Sequence, residues 1–530
     1  MRTTVNLTEL YSACSTKFNY HIHTKNFGTI LTKPYIASTY PGNECDNAAG
    51  DLIVRVGDVI SPNDASLVQG QEYVVEALLG RGSFGQVFRC VQRSSRGLYA
   101  VKIIKSQPQY SKQAIMEKTI LQNLLEPIPN SQSTSFTSKQ RNIGESNSQY
   151  ASPQKHNAKE YEYKPIVRFI DSFYCRNHFC IVTELLGDDL YAILQQTKYR
   201  GVPLILIAEI MQQVLEALVI LGEWKIIHSD LKPENILVNR TFPQVKLIDF
   251  GSAAYIGRTI YTYIQSRYYR APEVLVGTQY SVHIDIWSLG CIAAELFLGR
   301  PIFPGYSEFD QIRRIMQMTS PFPSEMVFNG QNFNRNFIMI PKDNTKKSTN
   351  EGKNLLLSRN TSSQKYDDKY KGKQQNKDSK EDNFDYRIMT QEEYEKITHN
   401  TRQPKNYAYI KQTIKETINK YADVLEMKSL RNEEEEEDQE EEGIILWRER
   451  QKQREREKKQ EMERDRLDYA FRQKFISFLE MLLQPDIKKR ITAKDALQHP
   501  FINEGRKRSE TKKQEEASNQ RQYSFGGPRS

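Results

Sequence analysis

His228-Ser229-Asp230-Leu231-Lys232-Pro233-Glu234-Asn235 is the stretch whose reading decides the fold. It gathers an acid, an amine and an amide just after PLILIAEIMQQVLEALVILG (203–222), which is apolar nearly all round and suits a buried helix. Downstream, Asp249-Phe250-Gly251 follows the strand-like VKLI, and Ala271-Pro272-Glu273 comes next. Upstream, Leu79-Gly80-Arg81-Gly82-Ser83-Phe84-Gly85-Gln86-Val87 lies between the strand-like runs YVVEALL and QVFRCV. It does not open a helix, as a dinucleotide-binding turn does. Glycines between two strands let the backbone fold down over phosphates, although taken alone an ordinary hairpin fits as well. On the following run, YAVKII, Ala100-Val101-Lys102 puts an ammonium on an apolar strand. Burying that charge is costly without a partner. Glu117, in QAIMEKTIL, is available as one, and a snorkelling surface lysine is the bland alternative.

Each string alone occurs by chance. Five in this order and spacing resemble the eukaryotic protein kinases, from Tyr73 to Ile502. The resemblance implies an α+β, bilobal fold, with a small β-rich N-lobe and a larger helical C-lobe. It implies ATP and Mg²⁺ as cofactors and proteins as substrates. Phosphoryl transfer needs positioning and charge neutralisation more than covalent catalysis. Lys102 is therefore expected to hold the α- and β-phosphates, oriented by Glu117. Asp249 and Asn235 are expected to bind Mg²⁺. Asp230 is expected to take or orient the substrate hydroxyl proton, with Lys232 near the γ-phosphate. The ATP site is expected along Leu79 to Val87, at Ala100 and Lys102, and at Thr183, Glu184, Leu185 and Leu186. Glu273 paired with Arg490, and Asp285 behind the catalytic loop, are expected to be structural.

Tyr261-Thr262-Tyr263-Ile264-Gln265-Ser266-Arg267-Tyr268-Tyr269-Arg270-Ala271-Pro272-Glu273 is more specific. It resembles the activation segment of the dual-specificity tyrosine-regulated kinases (DYRK). LTKP…NECDNAAGDLIVRVGDVI and YRIMTQEEYEKITHNTRQPKNY (386–407) are similar to the Yak subgroup. This implies a proline-tolerant serine/threonine kinase that phosphorylates its own tyrosine and acts in growth and stress signalling. Tyr263 is the matching tyrosine, with Arg267 and Arg270 expected to clamp its phosphate. The chain departs from common kinases in having HSD, with Ser229, where HRD is usual. Relatives in this family commonly share that feature. It departs from the family at Thr183, where phenylalanine is usual.

Composition bounds the rest. The chain has 530 residues, 75 Lys and Arg against 66 Asp and Glu, a net charge of +9, and 38% hydrophobic residues. That apolar share is low for a fully packed chain, so part of it is expected to be polar and poorly packed. No apolar run is expected to reach the ~18–20 residues of a membrane span. MRTTVNLTELYSACS lacks an apolar stretch, so no signal peptide is expected. The six cysteines form no CxxC pair, against a zinc site or a secreted disulfide scaffold. A monomer in the cytoplasm or nucleus, away from membranes, is expected, and nucleic-acid binding is disfavoured. Residues 1–72 read as an N-terminal extension and 73–502 as the kinase domain. Polar inserts are expected at about 128–163 and 329–469, and a basic polar tail at 503–530. Within the second insert, 409–428 has helical spacing; the acidic run 433–442 and the mixed-charge 448–466 read as solvated. A stripe of Phe471, Phe475, Phe478, Leu479, Leu482 and Leu483 reads as a helix. The competing functional readings are a pseudokinase scaffold binding partners through its inserts, a small-molecule or lipid kinase, and a nucleic-acid-binding protein using GRKRSETKK (505–513).

Overall fold

The computed structural model describes residues 27–33, 45–63, 71–126, 164–239, 242–257, 264–342, 384–398, 412–422 and 468–524. Tyr261, Thr262 and Tyr263, the stretch 128–163, the acidic run and the mixed-charge segment lie outside the described residues. The chain divides into two compact units, Met1–Pro127 with Val167–Gly187, and Ile128–Ile166 with Asp188–Ser530.

The first unit is a six-stranded antiparallel sheet. Its strands are β1 (Val59–Ile60), β2 (Tyr73–Arg81), β3 (Gly85–Gln92), β4 (Leu98–Ile104), β5 (Phe169–Cys175) and β6 (His178–Glu184). They lie in the order β1-β2-β3-β4-β6-β5. Period-two alternation explains β3: Phe88 and Cys90 are fully buried while Arg89 faces out. Arg176 and Asn177, both with positive φ, make the two-residue turn between β5 and β6. Helix α1 (Pro108–Asn123) begins with proline in its first turn, where the missing N–H costs nothing, and packs on β4, β5 and β6. Leu52, Val54, Tyr73, Val75, Phe88, Val101 and Val182 share one core. Leu52 and Val54 precede residue 72. The stretch read as an extension is thus partly built into this unit.

The second unit is helical. Its elements include α2 (Leu190–Gln196), α3 (Leu204–Glu223), β7 (Ile226–Ile227), β8 (Ile236–Val238), β9 (Val245–Leu247), β10 (Ala254–Tyr255), α4 (Pro272–Val276), α5 (His283–Leu298) and α6 (Glu308–Met318). Helix α3 corrects one expectation, because its 20 residues are long and apolar enough to cross a membrane. Half of its apolar window is buried inside the protein, where Ile207, Ile210, Met211, Val214 and Leu215 are at most 1% exposed. Along α5 every residue from Ile284 to Leu298 is buried.

Two composition readings also shift. The second insert supplies an antiparallel pair, β11 (Phe337–Pro341) with β12 (Phe384–Ile388), then α7 (Gln391–Thr398). Tyr394 of α7 stacks on Phe309 of α6 at 4.1 Å between ring centroids. A polar average over the insert conceals these few apolar residues. Within the basic tail, residues 503–524 belong to α8 (Pro500–Ser524), which packs along α3. At Gly505 a Cβ would lie 2.3 Å from the Ala208 side chain, so the close approach needs glycine. The helices expected within 409–428 and at the phenylalanine stripe are present over 414–422 and 468–482, with Ile414, Ile418, Phe471, Phe475 and Phe478 buried.

Candidate active site

In the first unit, the glycine-rich stretch joins β2 to β3, and the Gly82 N–H donates to the Gly85 carbonyl at 2.9 Å. The three glycines serve different ends. A Cβ on Gly85 would lie 2.1 Å from the Ile103 carbonyl, so β4 excludes any side chain there. A Cβ on Gly80 or Gly82 meets nothing within 4 Å, so those two leave open room beside the backbone. Lys102 sits on β4 opposite Val87 and Ile181. Its Nζ donates to both carboxylate oxygens of Glu117, at 2.8 and 2.9 Å, and both side chains are largely buried. This is the pair expected from the sequence, and the snorkelling alternative is excluded. Ala100 pairs with Thr183, and Glu184 closes β6 and accepts from the Arg168 N–H at 2.7 Å.

In the second unit, the loop after β7 is held from below. Ser229 has φ of 67°, a conformation that side chains rarely adopt and that costs about 1–3 kcal/mol. Asp285 offsets that strain by accepting from the His228 N–H at 2.8 Å and the Ser229 N–H at 3.0 Å. Burial pushes the Asp285 carboxyl up, and His228 with the two N–H groups opposes it. The His228 Nε2 lies 2.9 Å from the Ile248 carbonyl, tying the loop to the Asp249 stretch.

Asp230 is the centre of the loop. Its Oδ2 accepts from Lys232 Nζ at 2.8 Å, and its Oδ1 accepts from the Ser266 hydroxyl at 2.9 Å and the Ser266 N–H at 3.2 Å. Asn235 donates to the Asp230 carbonyl at 2.8 Å. Burial disfavours the Lys232 ammonium, but the bond to Asp230 and the charges of Asp230, Glu234 and Asp249 outweigh it and raise the pKa. The Ile248 N–H donates to the Asn235 carbonyl, which sets Asp249 beside Asn235. Asp249 adopts the left-handed conformation (φ 59°) and its carboxylate caps the turn Phe250–Ser252. Among the described residues no three His, Cys, Asp or Glu side chains gather at a metal site. The Asn235 and Asp249 oxygens fit a hard divalent cation that takes its remaining ligands from water and phosphate.

The activation segment resumes at Ile264. Gln265 has φ of 62°, and its carbonyl accepts from Arg270 Nη2 at 2.8 Å and Nε at 3.3 Å. Arg270 is 2% exposed, and its Nη1 pairs with Glu308 at 2.6 Å. Arg267 Nη1 donates to the Tyr306 carbonyl at 2.7 Å. Both expected clamp residues are thus engaged within the described segment. The cavity beside them, about 680 Å³, is lined by Lys232, Glu234, Ser266, Tyr268, Tyr269 and Glu295 among others. The Tyr269 hydroxyl donates to Glu295 at 2.7 Å. Burial raises the Glu295 carboxyl to about 7, with Tyr269 opposing. Sequence reasoning gave Ser266 and Glu295 no role. Ser266 lies within the activation-segment string, but nothing in its spacing aims it at Asp230. The structural readings of Glu273 and Asp285 hold: Glu273 accepts from Arg490 Nη1 at 2.7 Å and Nη2 at 2.9 Å.

The protein kinase domain family matches residues 132–356, so the glycine-rich stretch and Lys102 lie upstream of that match. The chain is similar to the probable serine/threonine-protein kinase yakA of Dictyostelium discoideum, 42% identical over 63% of this chain and 20% of that one. It is 40% identical to the dual specificity protein kinase YAK1 of Saccharomyces cerevisiae, over 65% of this chain and 38% of that one. Homeodomain-interacting protein kinase 1 of Mus musculus is 42% identical over 48% of this chain and 18% of its own length. The matches span a fifth to about two fifths of these curated relatives.

Proposed function

The kinase domain in this chain belongs to the DYRK family, Yak subgroup, and on that premise we propose the activity of the whole chain. It is an ATP-dependent serine/threonine protein kinase that also phosphorylates its own Tyr263. The observation that carries this reading is the Asp230 carboxylate, held on one oxygen by Lys232 and on the other by Ser266. A protein kinase domain uses ATP and a divalent metal; as that metal Mg²⁺ would be held by Asn235 and Asp249. When bound, Mg²⁺ supplies neutralisation of the charge that develops on the phosphates. Lys102, oriented by Glu117, binds the α- and β-phosphates. Gly80 and Gly82 leave room for them. Asp230 orients the attacking hydroxyl and takes its proton. Lys232, kept cationic by its acidic neighbours, steadies the γ-phosphate.

Proline tolerance has a physical basis in the same segment. Ser266 abuts Asp230, so a substrate residue near Asp230 runs alongside 264–266. The Gln265 carbonyl there is turned onto Arg270. It offers nothing to a substrate N–H, and a proline, which has none, loses nothing. A pseudokinase scaffold is disfavoured, because Lys102, Glu117, Asp230, Asn235 and Asp249 all stand. Protein substrates in growth and stress signalling, in the cytoplasm or nucleus, follow from the family premise. The test is ATP-dependent transfer to a serine/threonine peptide library by the purified chain. Transfer is expected, with an ~10²–10⁴-fold loss in Asp230→Asn. No transfer by wild type, or equal transfer by both, overturns the reading.

A further inference from the structure

The root of the glycine-rich loop is fastened from outside. Arg81 and Gln86 form the last cross-strand pair of β2 and β3 before the loop turns. Both side chains reach the same N-terminal segment. The Arg81 guanidinium donates to the Lys33 carbonyl at 2.7 Å and to the Leu31 carbonyl. Gln86, 2% exposed, donates to the Leu52 carbonyl at 3.2 Å. That segment is closed on itself. The buried Thr32 hydroxyl donates to the Leu52 carbonyl at 2.8 Å and accepts from the Val54 N–H at 3.0 Å. Backbone bonds from Leu31 to Val54 and from Val56 to Thr29 complete it.

The other end is pinned where β4 ends. Asp46 accepts from the Ser106 hydroxyl at 2.8 Å and lies 2.8 Å from His178 Nε2. His178 Nδ1 is 2.7 Å from the Ile104 carbonyl, which can only accept, so that nitrogen carries a hydrogen. Between these points the Lys105 N–H donates to the Phe84 carbonyl inside the loop. Residues 29–33 and 45–56 therefore act together as a strap. It is bonded to the loop at its root and to the strand end that holds the loop's far side.

We propose that this strap sets the position of the phosphate-binding loop, with Arg81 as the positioning residue that transmits it. The inference rests on the reading of that loop under the proposed function. A guanidinium holding two strap carbonyls fixes the end of β2 next to Gly80 and Gly82, the glycines that leave room for phosphate. Loosening the strap widens the range of loop positions and weakens nucleotide binding, while the groups on the catalytic loop stay in place.

The test uses the full chain as wild type, as the single variants Arg81→Leu, Arg81→Lys and Thr32→Val, and as the double variant that combines Arg81→Leu with Thr32→Val. Equilibrium ATP binding, KM for ATP, kcat and thermal melting are read for each. Arg81→Leu should raise Kd and KM for ATP by about three- to tenfold, the scale of a typical net hydrogen bond. It should change kcat less, and Arg81→Lys should recover part of the loss. Thr32→Val should move KM in the same direction, and the double variant should be no worse than the larger single, since coupled sites do not add. Additive effects would mean that Arg81 meets the nucleotide itself, which overturns the strap. So would a lowered melting point with unchanged Kd and KM. Amide exchange in Arg81→Leu reads the strap without a second substitution: faster exchange at residues 31–33 and 52–56 is expected, and unchanged exchange overturns the inference. A wild type that binds ATP without transferring phosphate sinks the kinase reading, and the binding comparison then still decides the strap.

Discussion

Ser266 holds the Oδ1 of Asp230 twice, through its hydroxyl at 2.9 Å and its backbone N–H at 3.2 Å. Lys232 holds the other oxygen. The carboxylate is thereby fixed in one rotamer, as positioned catalysis requires. Ser266→Ala removes one of the two bonds and keeps the other. We expect kcat to fall about ten- to a hundredfold, the ~1.5–3 kcal/mol of one bond to a charged group, with KM for ATP little changed. Steady-state kinetics with saturating peptide measures it. A kcat equal to wild type would mean that Lys232 and the backbone suffice.

The catalytic string, the lysine–glutamate pair and the bilobal plan are all legible in the chain. Their chemistry depends on short strings whose spacing is set by one strand, one loop or one helical turn. Ser266 and Arg81 are not legible in the same way. Ser266 meets Asp230 across 36 residues of chain and Arg81 meets Lys33 across 48, and no local period encodes either approach. The second insert escapes a reading by composition for a related reason. Tyr386 and Tyr394 make packed contacts from within a polar stretch, and an average over the stretch hides them.

Glu273 and Arg490 form an ion pair whose side chains are 1% and 0% exposed. Removing one partner leaves a buried charge without compensation. Arg490→Met should destabilise the second unit by about 3–5 kcal/mol, and adding Glu273→Gln should recover much of that. Chemical denaturation of the two variants beside wild type checks both statements. A double variant as unstable as the single would mean that the Arg490 bonds to the Gln484 and His283 carbonyls dominate.

Glu295 predicts a pH dependence. Burial raises its pKa from 4.5 to about 7, so the folded chain keeps a proton that the unfolded chain releases. This contribution to stability is complete below about pH 4.5 and is lost as the pH rises to about 7. A rise of that size corresponds to ~3 kcal/mol. Glu295→Gln keeps an acceptor for Tyr269 and cannot ionise. Wild type should therefore lose stability relative to Glu295→Gln between about pH 5 and 7, and run parallel to it above about pH 8. Parallel curves across the whole range would show that the carboxyl ionises normally.

Thr183 lies on β6 opposite Ala100, at a position where the family usually carries phenylalanine. Threonine is several heavy atoms smaller, so we expect room for a ligand group beside it. ATP-competitive inhibitors with a bulky group aimed behind the adenine should bind wild type more tightly than Thr183→Phe. Overpacking costs about 1–3 kcal/mol, which corresponds to roughly five- to a hundredfold in potency. Dose–response curves for one such compound decide it, and equal potency would mean that another side chain fills the space.

Tyr263 should be phosphorylated by this chain itself, and Tyr263→Phe should lower activity without abolishing it. A phosphate adds about −1.5 to −2 charge and three acceptor oxygens, which need cationic partners to order a loop. Ser229 replaces the catalytic-loop arginine that would otherwise serve, so the cations must come from Arg267 and Arg270. Arg270 Nη1 holds Glu308, whose side chain is 41% exposed, while Nε and Nη2 hold the Ile264 and Gln265 carbonyls. A dianion competes well for a guanidinium against a single half-solvated carboxylate, because charge and bidentate geometry both favour it. The backbone bonds of Arg270 need not break in that exchange, so the Gln265 turn beside Asp230 survives it. Glu308→Gln removes the competitor and should leave the phosphorylated enzyme as active as wild type. Mass spectrometry of protein made in bacteria tests the first step. Stoichiometric phosphate on Tyr263 in wild type and none in Asp230→Asn is expected. Phosphate in both would point to a host enzyme, and phosphate in neither would leave Tyr263 a packing residue.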